Sequence, residues 1–491
     1  MNRALFASLL AALVLGVPSA SRSAPAKPDP TPGVVRVRVT SQAHDFLRPW
    51  LKRPPATREA VGAVLAGDRV LVTGELVANH TYIELEHPTS GEKAPARLAA
   101  CDYDANLALV EPSGPSFLSQ LAKLEISTDP VSGDRMEATQ FEASGAPMQT
   151  PLTLTTVEIG SYPISEIPLL IYRLSGSLQQ RDGSFALPIL RGGKLAGLVM
   201  RYDPRSQASD AVSVPVIRRF LAQVADGGKT GFPRAGVAFA PTRDPQLRRF
   251  LGLKNGTGGV LITAVDPLGP AAEAGIQKGD VLLEVDGKRI DQDGNYEDPR
   301  HGRLGLAHIL SMAKAEPLPF QILREGKPQN IPVAVRPRVP SESVSPPYQL
   351  DSAPRYLVLG GLVFQELGRQ VLREWGPGWD KRAPQRLVYL DRFQSELFPE
   401  GKRRIVFLSQ ILPSPATLGY EEVGQHVVER VNGKEIRSLE DLEAALAAPV
   451  DGFHQIDLDG DPHRIVIDPA EAARIAPALM RHYGLGALKR F

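Results

Sequence analysis

A chain of 491 residues, 43% hydrophobic and 23% charged, is long enough for about three domains with cores of their own and too apolar for wholesale disorder. Its 56 Lys and Arg against 55 Asp and Glu leave a formal net charge of +1, which gives no reason to expect nucleic acid or an anionic membrane surface as a main partner. A single cysteine, Cys101, excludes an intramolecular disulfide, and its neighbours Leu98, Ala99 and Ala100 point to a buried thiol.

Residues 1–26 read as an export signal: Arg3 opens it, Ala4 to Val17 is uncharged and apolar, and small residues follow around Ala20 and at Ala24-Pro25-Ala26. The run is shorter than the roughly 20 residues of a membrane span, so the mature protein is expected to be exported, in the periplasm, with no transmembrane segment. A Pro-rich linker (25–33) leads into a unit at 34–225 of short strands separated by turns, beginning with the period-two run Val34-Val35-Arg36-Val37-Arg38-Val39. Such a pattern predicts an all-β sandwich or barrel, closed by a helix whose apolar residues are Val216, Ile217, Phe220, Leu221 and Val224. A Gly-rich break at 226–231 precedes a mixed α/β unit at 231–338. After a Pro/Ser linker at 340–347, a second mixed unit occupies 352–491 and ends in a helix from Pro469 to about His482.

The most specific stretch is Gly259 to Ile290, GVLITAVDPLGPAAEAGIQKGDVLLEVDGKRI. It sets a strand, a turn at Pro267–Gly269, a short helix, Gly275 at a helix end, and a strand closed by an Asp286-Gly287 hairpin turn. This resembles the core of a PDZ domain of the HtrA/DegP type. The resemblance implies a capture loop at Arg234, Ala235, Gly236, Val237 and Ala238, with Phe239 helping to line the pocket for the C-terminus of an added peptide strand. The extra sequence at 291–338 resembles the plant-type branch of that family, in which a divergent second PDZ-like domain follows. Here Leu357–Phe364 looks like its loop and peptide-facing strand, Ile405–Leu412 like its central strand, and Asn432-Gly433 like a hairpin turn.

On this resemblance, 34–225 is a trypsin-like double β-barrel, and a His/Asp/Ser triad belongs in it. The frame Val70 to Val77, followed by Ala78-Asn79-His80-Thr81, puts Glu75 at the position of the base and His80 at a second, non-catalytic histidine. The Asp-Leu-Ala-Leu frame reads Asn106-Leu107-Ala108-Leu109, and the serine frame, anchored on Gly183 and Pro188, puts Phe185 at the nucleophile. Glutamate is no two-site proton shuttle, asparagine does not stabilise an imidazolium, and phenylalanine has no nucleophilic atom. A displaced triad would draw on Ser184, His80 and Asp102 or Asp104, across strand positions that alternate faces.

Asp457, Asp459 and Asp461 have Pro462 where a calcium loop needs glycine, and the histidines lack zinc-ligand spacing, so neither metal nor cofactor is expected. The expected function is that of a non-catalytic pseudoprotease binding peptide C-termini or unfolded segments, as an adaptor, a chaperone or a regulator of a related active protease. The resemblance also makes a homo-oligomer plausible. The rival expectations are a serine endopeptidase with a displaced site and a structural scaffold in an envelope complex.

Overall fold

The computed structural model describes residues 33–114, 116–142, 147–179, 186–227, 231–254, 256–314, 316–339, 342–400 and 403–491. The expected signal at 1–26 and both Ser184 and Phe185 lie outside the described residues. Strands β1 (Val34–Ser41), β2 (Ala56–Leu65), β3 (Arg69–Val72), β4 (His80–Glu86), β5 (Lys93–Asp102) and β6 (Leu107–Pro112) close into a barrel in the order β1-β2-β3-β6-β5-β4. A second barrel, β10-β11-β12-β9-β8-β7, is made from β7 (Arg135–Phe141), β8 (Pro147–Ser161), β9 (Pro168–Ser175), β10 (Leu187–Arg191), β11 (Lys194–Asp203) and β12 (Ala208–Val212). The alternation read in β1 is the physical reason for its placement: Val35, Val37 and Val39 are buried, while Arg38 faces out. Helix Val214–Ala225 covers the second barrel with Val214, Val216, Ile217 and Phe220. Cys101, on β5, is partly buried, and burial pushes its thiol pKa up.

The next sheet runs Val237–Pro241, Val260–Val265, Val281–Val285, Leu318–Arg324, Lys327–Val333. Asp286 and Gly287 both take positive φ, 52° and 72°, as a two-residue hairpin turn requires. The added sequence forms a hairpin, Asn295–Asp298 with Gly302–Gly305, and then helix Ala307–Ser311. The hairpin leans on β8 and the helix on β9; nearby, His301 Nε2 lies 2.9 Å from Asp129 Oδ2, just before the second barrel, and Arg219 of helix Val214–Ala225 donates to the Ala313 carbonyl at 2.8 Å.

The last sheet has the order Arg464–Ile467, His454–Leu458, His426–Val431, Val406–Ile411, Leu362–Glu366, Tyr356–Leu359, Lys489–Arg490. Four short helices, Arg369–Leu372, Trp379–Arg382, Gln385–Arg392 and Gln394–Leu397, are inserted between Leu362–Glu366 and Val406–Ile411. Their apolar residues form a core of their own with Leu367 and Phe407, and that core includes Phe46 from the β1–β2 connection of the first barrel. Phe46 is 5% exposed, its carbonyl accepts from Gln365 Nε2 at 3.1 Å, and nearby Trp50 meets Tyr356 edge-on with ring centroids 6.2 Å apart. Phe46→Ala should therefore loosen the last sheet from the first barrel at a cost of about 3–5 kcal/mol. In calorimetry the expected result is a low-temperature shoulder absent from the parent chain, and an unchanged profile would show that the contact contributes nothing.

Candidate functional site

Glu75 sits on the one-turn helix Gly74–Val77 at the end of β3, and Asn106 immediately precedes β6, the neighbour of β3 in the barrel. That pairing brings the two together: the Glu75 backbone N–H donates to Asn106 Oδ1 at 2.8 Å. Asn106 is fully buried with φ 53°, a left-handed conformation that asparagine tolerates, and its Nδ2 has no hydrogen-bond partner. The Glu75 carboxylate faces a cleft of about 530 Å³ between the barrels, walled by Leu178, Leu187, Val199 and Met200. Burial raises its pKa, against the opposing charges of Arg58 and Arg201.

Among the described residues of the displaced triad, His80 is joined to neither aspartate. His80 opens β4 with Nδ1 3.0 Å from the Val77 carbonyl oxygen. Asp102 Oδ1 accepts the N–H groups of Asp104 and Ala105 at 2.9 and 3.0 Å, and its Oδ2 has no partner. Asp104 accepts from Tyr348 at 3.2 Å. Among the described residues no hydrogen bond or ion pair links His80 to either aspartate. Asp457 and Asp459 are engaged in ion pairs, with Arg464 at 2.6 Å and Arg386 at 2.9 Å.

The predicted capture loop leads into the edge strand of the first α/β sheet. Gly236 has φ 76°, and a β-carbon there would stand 3.2 Å from Asp266 Cβ, so glycine suits the position on both counts. The loop is pinned from behind, the Gly236 carbonyl accepting Asp266 N–H at 2.7 Å and the Ala235 carbonyl accepting Ala271 N–H at 2.9 Å. Val237–Pro241 pairs on one side only, with Val260–Val265. Its other side opens on a cavity of about 490 Å³ bounded across the gap by Leu306 and Leu310 and lined within by Val237 and Phe239. An edge strand, an apolar trench and a helix wall are what β-strand addition of a peptide needs. Two further walls were not foreseen: Ser165–Pro168 from the second barrel, and Phe393–Glu396 from the helical insert.

Two family models described as PDZ domains match residues 261–298 and 345–488. Protease Do-like 2, chloroplastic, of Arabidopsis thaliana is 23% identical over 460 residues, covering 92% of this chain and 74% of the relative. Protease Do-like 4, mitochondrial, of the same plant is 26% identical over 338 residues, 68% of this chain and 64% of the relative. Among solved structures, the HtrA-type protease AlgW with decapeptide aligns over 63% of this chain and 97% of its own, at 15% identity and a TM-score of 0.48. This is an HtrA/DegP-like chain. Two closed six-stranded β-barrels precede its PDZ domains.

The second PDZ domain of this HtrA/DegP-like chain differs from the first at its docking edge. Leu357–Phe364, expected as one loop and a peptide-facing strand, is instead a hairpin of two strands turning at Gly360 and Gly361, with Leu359 opposite Leu362 and Tyr356 opposite Gln365. Strand Leu362–Glu366 is therefore not an edge. Tyr356–Leu359 lies beside it under helix Leu439–Leu446, and Lys489–Arg490 pairs on the far side of that strand. The chain's own strand fills the place an added peptide would take. In the sequence, Tyr356–Leu359 is as apolar as the strand it covers, and the Gly-Gly pair is the one turn signal between them.

Burial, and then the nearby charge of Asp104, pushes the Asp102 pKa up to about 6. Burial raises Asp104 as well. With a folded value above the unfolded value of about 3.9, Asp102 holds its proton longer when folded, so stability falls as pH rises from about 4 to about 6. Asp102→Asn keeps an oxygen for the two backbone donors and removes the charge. The variant should be more stable than the parent at pH 8, by about 1–3 kcal/mol, with the two converging below about pH 4 in chemical denaturation. A constant offset across that range would mean that Asp102 does not titrate as described.

Proposed function

We propose that this chain is an exported, periplasmic, non-catalytic member of its family that binds the C-termini of peptides or unfolded segments in the groove of its first PDZ domain. It serves as an adaptor, a holdase, or a regulator of a related active protease. The observation that carries the non-catalytic reading is the Glu75–Asn106 pair at the positions where the resemblance puts the base and its orienting acid, joined through a backbone N–H at 2.8 Å. A carboxylate in that place does not relay a proton from nucleophile to leaving group as an imidazole does, and a neutral amide does not stabilise a cation. The peptide-binding reading is supported by the open edge at Val237–Pro241 beside a groove of about 490 Å³. No helix among the described residues is long and apolar enough to cross a membrane.

Treatment with a fluorophosphonate probe and unfolded casein, beside a Ser184→Ala control, is expected to give neither labelling nor cleavage. Labelling that disappears in Ser184→Ala would establish a rebuilt active site and end the non-catalytic reading. In calorimetric titration, peptides with a free C-terminus should bind at one per chain, because the second domain's groove is occupied by Tyr356–Leu359. Amidation of the peptide should abolish binding, and Phe239→Ala, at a side chain 38% exposed in the groove, should weaken it about fivefold or more.

A further inference from the structure

The cavity beside the first PDZ edge is lined by ten charged residues from the second barrel, the two PDZ domains and the segment between them, and nine have an ion-pair partner. Glu166 pairs with Arg369 at 2.9 Å and Arg373 at 2.8 Å, Asp391 with Arg369 at 3.1 Å, and Arg392 with Asp380 at 2.9 Å. Arg336 takes both Glu273 and Glu342, Lys278 takes Glu396, and Asp266 has Arg234. Arg338 has neither an ion pair nor a hydrogen bond among the described residues, and its Nε is sealed from solvent without a partner. It comes from the segment after the last strand of the domain, Lys327–Val333, so it is no part of the capture loop.

Arg234 stands beside it. Its single ion pair, to Asp266, is long at 3.5 Å, and the proximity of Arg338, after burial itself, lowers its pKa to about 10, which leaves it charged at neutral pH. Asp266 is partly spent on Ser395, whose hydroxyl donates to its Oδ1 at 2.8 Å. Asp104, whose charge acts on both arginines, lies beyond 4 Å from them, accepts from Tyr348, and is biased by burial towards its neutral form, while Glu342, which also acts on Arg234, is paired with Arg336 at 2.9 Å. Two arginines thus line one peptide-sized cavity, close enough for their charges to act on each other, with less carboxylate than they can take.

Resting on the peptide-binding reading above, we propose that Arg234 and Arg338 receive a carboxylate side chain of the bound peptide, so that the groove selects segments carrying an Asp or Glu near the C-terminus. The α-carboxylate has its own donors in the backbone of the capture loop. A planar guanidinium offers a second carboxylate two parallel N–H bonds, a geometry that lysine does not reproduce.

The test uses the full chain and fluorescent decapeptides with free C-termini, in which one Glu is stepped through the last six positions, each beside its Gln counterpart and its C-terminal amide. Anisotropy titrations should find one or two positions where Glu binds about tenfold tighter than Gln. Arg338→Gln should erase that preference while leaving the affinity for the Gln peptides and the melting temperature unchanged, and Arg338→Lys should restore only part of it. The proposal is overturned if no position prefers Glu, or if the preference survives in Arg338→Gln. It is equally overturned if Arg338→Gln weakens Glu and Gln peptides alike and the effect vanishes on amidation, which would put the terminal carboxylate on Arg338. Failure of every peptide to bind would remove the peptide-binding reading itself, whereas binding indifferent to Glu removes this inference alone.

Discussion

Glu166, at the turn between β8 and β9, is held with φ 60° and gripped by two arginines of the helical insert, Arg369 and Arg373. Arg369 reaches on to Asp391, a carboxylate with no solvent exposure that also accepts from Ser345 at 2.7 Å. These contacts tie the second barrel, the second PDZ domain and the connecting segment together at one point, and the turn that carries Glu166 is itself a wall of the first groove. A charge network of this kind, exposed at Glu166 and buried at Asp391, does little for net stability, since desolvation at its buried end consumes most of the Coulombic gain. What it fixes is geometry, because leaving Asp391 unpaired costs far more than keeping the pair. The groove of the first PDZ domain thereby acquires walls that its own fold does not supply.

The two PDZ domains solve one problem of sheet physics in opposite ways. An exposed edge strand is a row of unpaired backbone donors and acceptors, which is a binding site if its neighbour is a peptide and a hazard if it is not. Val237–Pro241 keeps its edge, with the helix Ala307–Ser311 backed onto the second barrel. Leu362–Glu366 loses its edge to Tyr356–Leu359, and that strand's own edge is then covered by Lys489–Arg490. The closure buries Leu357, Val358, Leu362, Val363 and Phe364, so opening it would expose a large apolar surface as well as the backbone.

Local signals carried the sequence reading furthest. The turns at Asp286-Gly287 and Asn432-Gly433, the alternation in β1, the helix Val214–Ala225 and the Gly236 loop each follow from a few neighbouring residues, and each stands where those residues put it. Glu75 and Asn106 were placed by separate local frames, and their contact depends only on β3 lying beside β6. Contacts made across hundreds of residues left no comparable trace. Phe46 reads as a loop residue until its partners Leu387 and Phe407 are known, and Arg338 as a linker charge until the carboxylates around it are seen to be taken. The insert does carry a local signal, the helical spacing of Leu387, Val388 and Leu390 against Gln385, Arg386 and Arg392.

The pair at Glu75 and Asn106 also bears on what the first barrel keeps on the proposed reading. An aspartate at 106 would need donors for both of its oxygens in a fully buried site, and Glu75 has only its backbone N–H directed there. An amide accepts the same N–H through Oδ1 and avoids burying a charge, at the cost of leaving its Nδ2 donors without a partner. Once no imidazole stands opposite, the amide is the cheaper occupant, and the carboxylate of Glu75 is free to turn to the cleft between the barrels. On that reading, the loss of one triad group removes the physical reason for retaining the next. A barrel in that condition is maintained by what leans on it, and here that is the hairpin Asn295–Asp298 with Gly302–Gly305, the helix wall of the peptide groove, and the second PDZ core that holds Phe46.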